Sequence, residues 1–198
     1  MLGSITPLGE RGRGSRWWLT VSAYLVGSLA GGTFVGSALG AVGATFGAAS
    51  WSITVRLSTI AVALVVGVLV DLHVGGLRLP TVHRQVEEEW RGRYRGWVWG
   101  LAFGFQLAVG VVTIVTTSTV YVTWLAAGLS GAASGGAAVG ATFGLARALP
   151  IFAVAGVRTP RELLGVDATL RRLASPARSA TYAAAGAIAA VAGLGAIR

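Results

Sequence analysis

The sequence predicts an all-α, polytopic membrane protein of about six transmembrane helices arranged as two inverted three-helix repeats, with five spans as the alternative. Three observations predict it. Gly96 to Ala146 lies between Arg95 and Arg147 without one charged side chain, and because about 20 apolar residues of helix cross a bilayer core, this stretch holds two spans and a turn. The chain as a whole is 54% hydrophobic and only 12% charged, where a soluble domain carries about 25% charged residues. Finally, the heptapeptide Ala41-Val42-Gly43-Ala44-Thr45-Phe46-Gly47 recurs unchanged as Ala138 to Gly144, half a chain later, the pattern of an internal structural repeat.

The elements follow in order. Residues 1–16 form a polar tail carrying Arg11, Arg13 and Arg16, and Trp17-Trp18 suits the headgroup level where the apolar run begins. A basic tail ahead of an apolar run also has the form of a signal peptide, but the run continues well beyond the roughly 7–15 apolar residues of one. Trp17 to Ser50 reads as two thin spans or as one long span with a re-entrant tail, and Gly32, Gly36 and Gly40 at four-residue spacing permit close helix contact. Ser52 to Leu72 is a clearer span, dense in Val, Ile and Leu, with Arg56 snorkelling near its start and Asp71 at its end. The connection 73–95 sets Arg78, Arg84, Arg91, Arg93 and Arg95 against Glu87, Glu88 and Glu89. Its Glu87/Arg91 and Glu89/Arg93 pairs predict a short solvated helix after Pro80, facing the cytoplasm.

Within the long uncharged run, the small residues of Leu129 to Gly136 make the turn. Arg147 and Pro150 mark a break. Thr159-Pro160-Arg161-Glu162 then has the form of a capping box with proline at the first helical position. Leu163, Val166, Leu170 and Leu173 follow at helical spacing, predicting an amphipathic helix over 160–173 on the membrane surface. Ala-rich Ser179 to Ile197 is long enough for a last span. The chain thus reads as a single transmembrane domain, 1–198, with repeat one over 17–72, a cytoplasmic loop over 73–95 and repeat two over 96–197. Two halves with odd numbers of spans would be related by an axis in the membrane plane.

Composition narrows the chemistry. With no cysteine in the chain, thiol exchange, iron–sulfur ligation and sulfur-bound zinc have no ligand here. All 16 basic residues are arginine and the net charge is +9, yet the arginines lie in the connections, which reads as positive-inside anchoring in a plasma (inner) membrane crossed several times, and not as nucleic-acid binding. His73 and His83 lack any recognised ligand spacing, so neither a metal nor a cofactor is expected. No carboxylate pair, nucleophile–base set or phosphate loop falls within the spans, and an enzyme is not expected.

The most polar feature of the membrane zone is the hydroxyl cluster Thr113, Thr116, Thr117, Thr119 and Tyr121. With Tyr24 from the other repeat, the amide of Gln106, and Arg147 drawing anions at the cytoplasmic mouth, it would form the binding site of a small-solute or ion transporter. The plainer role for such residues is bonding to carbonyls one turn earlier or joining helices. A second reading, from another class, is a redox-silent accessory or assembly subunit that binds a membrane-protein partner or a second copy of itself. Its contact surfaces would be the glycine faces, the loop from Arg78 to Arg95 and the surface helix from Thr159 to Leu173.

Val70-Asp71-Leu72 at the end of a span, followed by Gly76-Leu77-Arg78-Leu79-Pro80, then Gly104, Gly140-Ala141-Thr142-Phe143-Gly144 and Pro150, resembles the DsbD/CcdA-type membrane electron carriers of the lysine-exporter superfamily over residues 20–155. The resemblance implies broken first and fourth spans around a central polar cavity. Each of those spans carries one cysteine of an electron-passing pair in that family. Both are missing here, the fourth-span position falling within Gly110 to Thr116, so the scaffold is implied without its thiol reaction.

Overall fold

A computed structural model describes residues 6–12, 14–76, 95–110 and 117–197, and every regular element among them is helical. The helices are α1 (Pro7–Gly12), α2 (Trp17–Thr45), α3 (Ile53–Asp71), α4 (Gly96–Val109), α5 (Thr119–Leu129), α6 (Ala133–Ala148) and α7 (Pro160–Ile197), with short 3-10 turns at Ala48–Ser50, Val74–Gly76 and Leu149–Val154. Among the described residues, three stretches are long and apolar enough to cross a membrane: Trp17–Thr45, Ile53–Asp71 and Ala133–Val154. Their outward faces are greasy. Phe34 is 64% exposed, Val62 62% and Phe46 78%, which in water would be a large unfavourable apolar surface and in lipid is the preferred one.

The axis of the fold is α2, a single continuous helix of 29 residues, so the two thin spans allowed for Trp17 to Ser50 do not occur. At 1.5 Å per residue it is about 43 Å long, more than the hydrocarbon core needs. Two neighbours lie against it through glycine. On one face a Cβ at Gly27 would press into the carbonyl of Leu101, one at Gly31 into that of Phe105, and ones at Gly100 and Gly104 into those of Thr20 and Tyr24. The numbers rise together, so α4 runs parallel to α2. On the other face Gly32 meets Gly140, Gly36 meets Gly136 and Gly40 meets Ala132. These numbers run oppositely, and α6 is antiparallel to α2. Glycine is what makes both contacts possible, since backbones approach this closely only where no side chain intervenes.

Two further helices, α4 and α5, lie along α2 one after the other. Helix α4 lies beside the stretch from Thr20 to Gly31, and α5 reaches Gly43 through Gly128. Neither piece reaches 30 Å alone, with 14 and 11 residues giving about 21 and 16 Å. The break falls at Gly110, whose φ of +70° ends α4 in the left-handed region that glycine adopts without strain. The reversal into α6 uses Gly131 at φ +63°, inside the turn expected from Leu129 to Gly136.

The repeated heptapeptides run in opposite directions, one in α2 and one in α6, but they hold different positions. Gly140 and Gly144 both lie in the seam with α2, whereas Gly43 packs on Gly128 and Gly47 sits at φ +71° beyond the end of α2. Moreover, α2 is unbroken where its sequence counterpart is divided by the turn at residues 130–132.

Helix α3 returns along the outside. Leu64 packs with Val122 of α5 and with Ala185 and Ala189 of α7, and Gly195 approaches Leu57, so the end of α7 is antiparallel to α3. The surface helix over 160–173 and the final span after Ser179 were expected as separate elements; they are one helix of 38 residues that continues through Pro176. The proline removes a single intrahelical bond, and the alanine-rich sequence after it has high helix propensity. The capping box forms at its start: Thr159 Oγ accepts from the Glu162 N–H at 3.3 Å, and the Glu162 carboxylate accepts from the Thr159 N–H at 3.3 Å.

The N-terminal segment is no solvated tail. Helix α1 folds back so that Glu10 is fully buried and accepts a hydrogen bond from the Thr20 hydroxyl at 2.9 Å. The loop helix expected around Glu87 to Arg93, and His83, lie outside the described residues.

Candidate functional site

Of the eight residues expected to line a binding site, Thr113 and Thr116 lie outside the described residues. The other six do not converge on one place. Thr117 is half-buried just ahead of α5, and exposed Thr119 offers its carbonyl to the Thr123 hydroxyl at 2.8 Å. Such hydroxyl-to-carbonyl bonds one turn apart are the ordinary helix role for threonine. Gln106 is half-buried on α4. Tyr121, 39% exposed, faces away towards α3.

Tyr24 and Arg147 do come together. Tyr24 is 4% exposed, in a cluster with Trp17, Val21, Trp99, Phe103, Ala148 and Ile151. Its ring stacks on Phe103 at 5.8 Å, which stacks in turn on Trp99 at 5.0 Å. Ser28, one turn on, hydrogen-bonds Tyr24 and donates to the Gly104 carbonyl at 3.3 Å, tying α2 to α4. The Arg147 guanidinium lies within electrostatic reach of the Tyr24 hydroxyl and 5.7 Å above the Phe143 ring. Phe143 takes the edge of Trp124 at 4.8 Å. Arg147 occupies the last turn of α6, where a cation complements the negative end of the helix dipole. The result is a charge set over the face of Phe143, with the Tyr24 phenol near it among packed side chains.

A second polar centre was not foreseen as one. Both Asp71 carboxylate oxygens, at the end of α3, accept from the Ser118 N–H at 3.0 Å, and one also accepts from the Ser118 hydroxyl at 2.9 Å. Asp71 thereby caps the start of α5 from a different helix. Gly67 makes room, since a Cβ there would fall 2.6 Å from Ser118 Oγ. The sequence did hold a signal: a carboxylate in the last turn of a helix opposes the dipole of that helix and calls for a donor elsewhere. Beside this cap lies a cavity of about 410 Å³ between α3 and α5, lined by Ala63, Val66, Gly67, Val70, Tyr121 and Leu125. Tyr24 and Arg147 are not among its walls. The Trp124 Nε1, buried beside Gly110, has no acceptor among the described residues. No group of three or more His, Asp or Glu side chains suited to a metal occurs among the described residues either.

The chain is similar to the methylamine utilization protein MauF. It is 30% identical to MauF of Paracoccus versutus over 155 residues, covering 75% of this chain and 56% of that protein. It is 33% identical to MauF of Methylophilus methylotrophus over 160 residues, covering 76% of this chain and 53% of that protein. The chain therefore spans about half the length of the curated relatives it matches. No protein-family model matches the chain, and no solved structure matches it. These relatives correct the resemblance to DsbD/CcdA-type carriers, which rested on glycine-bearing segments, two prolines and one Asp-Leu pair. Such residues recur in membrane helices for reasons of packing, whatever the family.

Proposed function

We propose that the chain is a membrane-embedded accessory protein of methylamine utilization, acting by holding a protein partner at the bilayer and contributing no thiol chemistry of its own. The observation that carries this reading is the similarity to two MauF proteins over three quarters of the chain. The packing supports it. Where a transporter of the kind first expected would need hydroxyls around a water-filled space, Tyr24 is 4% exposed in a cluster of aromatic and apolar side chains. The glycine faces of α2 do not serve a partner, because α4 and α6 already occupy them. Among the described residues, a surface open to one is the first half of α7, where Leu164 is 70% and Leu173 54% exposed among Arg161, Arg171 and Arg172.

The same reading takes the chain through the inner membrane five times, by α2, by α3, by α4 and α5 in series, by α6, and by the alanine-rich half of α7. Support comes from where the arginines lie. Arg16, Arg95, Arg147 and Arg158 gather at the end where α2 starts, and this end is then cytoplasmic by the positive-inside rule. At the opposite end Arg56 is turned onto the carbonyls of Ala49 and Trp51. Deleting the gene in its host tests the function. Growth on methylamine should fail while growth on other nitrogen sources continues, and a tagged chain should bring down a methylamine-system protein from solubilised membranes. Normal growth on methylamine in the deletion strain would refute the reading.

A further inference from the structure

At the basic end, where α2 starts, a cavity of about 450 Å³ opens between the folded-back N-terminal segment and the connection after α6, lined by Ser15, Arg16, Trp17, Trp18, Ala155 and Arg158. We infer that this cavity binds the phosphate of an anionic phospholipid headgroup. The inference is independent of the partner-holding role and rests on four features of the cavity.

Its charge is one-sided. Among the described residues, two guanidinium-bearing side chains line it and no carboxylate does. The acids nearest in the chain are committed elsewhere: Glu10 is fully buried against the Thr20 hydroxyl. The Glu162 carboxylate accepts the backbone N–H groups of Arg158 and Thr159, at 2.7 and 3.3 Å, with the Arg158 side chain adding a lesser through-space attraction. Guanidinium groups match phosphate oxygens in a two-pronged geometry, and the Ser15 hydroxyl adds a further donor on the wall.

Its depth is right. The cavity sits where α2 passes from polar sequence into the apolar run, and Trp17 and Trp18 meet edge to face at 4.6 Å there. Trp17 is 8% exposed and forms part of the packed interior, while Trp18 is 66% exposed. An indole pair with one ring anchored and one facing outward belongs at the headgroup level. The walls are also built, not incidental. Buried Glu10 fixes α1 against α2, and Ile151 and Val154, at 2% and 1% exposure, fix the turn that leads to Ala155. Finally, the cavity shares its end of the molecule with Arg95 and Arg147, the end that faces an anionic leaflet under the positive-inside rule.

The test uses the full chain purified in mild detergent, with phosphatidylglycerol or phosphatidylcholine titrated and bound lipid counted by native mass spectrometry. Phosphatidylglycerol should bind in preference, and each of Arg16→Gln and Arg158→Gln should weaken it about fivefold, as a basic residue near an anionic lipid surface is worth about 1 kcal/mol. Arg56→Gln, at the opposite end, should leave it unchanged. Arg16→Lys with Arg158→Lys, which keeps charge and fold but loses the two-pronged geometry, should fall between the wild type and the glutamine pair. Equal phosphatidylglycerol preference in the wild type and the glutamine pair would overturn the inference, as would an equal loss in Arg56→Gln. Inorganic phosphate should compete only weakly; if it binds alone and the lipid does not, the ligand is a free anion and the lipid assignment fails.

Discussion

Adding one methyl group at Gly36 is the sharpest test of how this protein is held together. A Cβ there would lie 2.9 Å from the carbonyl carbon of Gly136 and 3.0 Å from the Cα of Gly140, closer than side-chain carbons tolerate. These are backbone atoms of α6, with the Gly136 carbonyl oxygen nearer still, and cannot rotate away, so α2 and α6 would have to part by about an ångström along the seam. Such forced separation of packed elements costs about 1–3 kcal/mol, and in lipid no hydrophobic term between helices compensates the lost contact. Gly36→Ala should thus lower stability by about 2 kcal/mol, a change of roughly thirtyfold in the folding equilibrium. The assay is unfolding in mixed micelles at rising denaturing-detergent fraction, followed by tryptophan fluorescence and circular dichroism. Gly165→Ala supplies the control: nothing lies within 4 Å of that position on α7, so alanine should be neutral or should stabilise by up to about 1 kcal/mol through helix propensity. Gly36→Ala with Gly136→Ala should cost less than the sum of the two, because the first methyl already separates the axes that the second would separate. If Gly36→Ala proves as stable as the control, the two helices do not meet through these glycines and the α2-centred packing is wrong.

Two further outcomes follow from the polar contacts. Asp71→Ala should destabilise the fold by about 1–2 kcal/mol by stripping the cap from α5, with Asp71→Asn losing less because its amide oxygen still accepts from Ser118; equal unfolding midpoints for wild type and Asp71→Ala would show the contact to be unimportant. Glu162 is held below its ordinary value of 4.5, first by the backbone N–H of Arg158. A depressed carboxylate stabilises above its unfolded value and loses that contribution as pH falls through the folded one, so hydrogen-exchange protection in the first turn of α7, taken relative to the intrinsic exchange rate at each pH, should fall below about pH 4.5. Glu162→Gln should remove this pH dependence, and an unchanged pH profile in the variant would assign it to another group.

Much of this architecture is local and could be read along the chain. Four-residue glycine spacing predicts a close seam wherever α2 meets another helix, the small residues after Leu129 predict a reversal, and Thr159 to Glu162 predict a helix start, since each depends on residues within one or two turns. The resemblance implied breaks in both the first and the fourth spans, and only the second of these is seen, at Gly110; in a chain with 30 glycines nothing local marks which one will adopt a left-handed conformation. Nor is the continuity of α7 through Pro176 marked locally. Of the candidate residues, Tyr24 and Arg147 were both singled out from sequence, but as parts of a hydroxyl-lined pathway with Tyr121, which in the fold lines the separate cavity beside α3; which helix each side chain would face is not a local property.

What the sequence determined by itself was the helices and their apolar character: uncharged runs long enough to cross lipid, bounded by arginines. Tertiary structure alone decided who meets whom. Asp71 finds Ser118 across 47 residues, Tyr24 finds Arg147, and two identical heptapeptides take different positions, one ending a helix and the other filling a seam. The physical reason is that apolarity and helical period are properties of neighbouring residues, whereas the partner of a buried polar group or a bare glycine backbone is set by which helices the whole chain brings side by side.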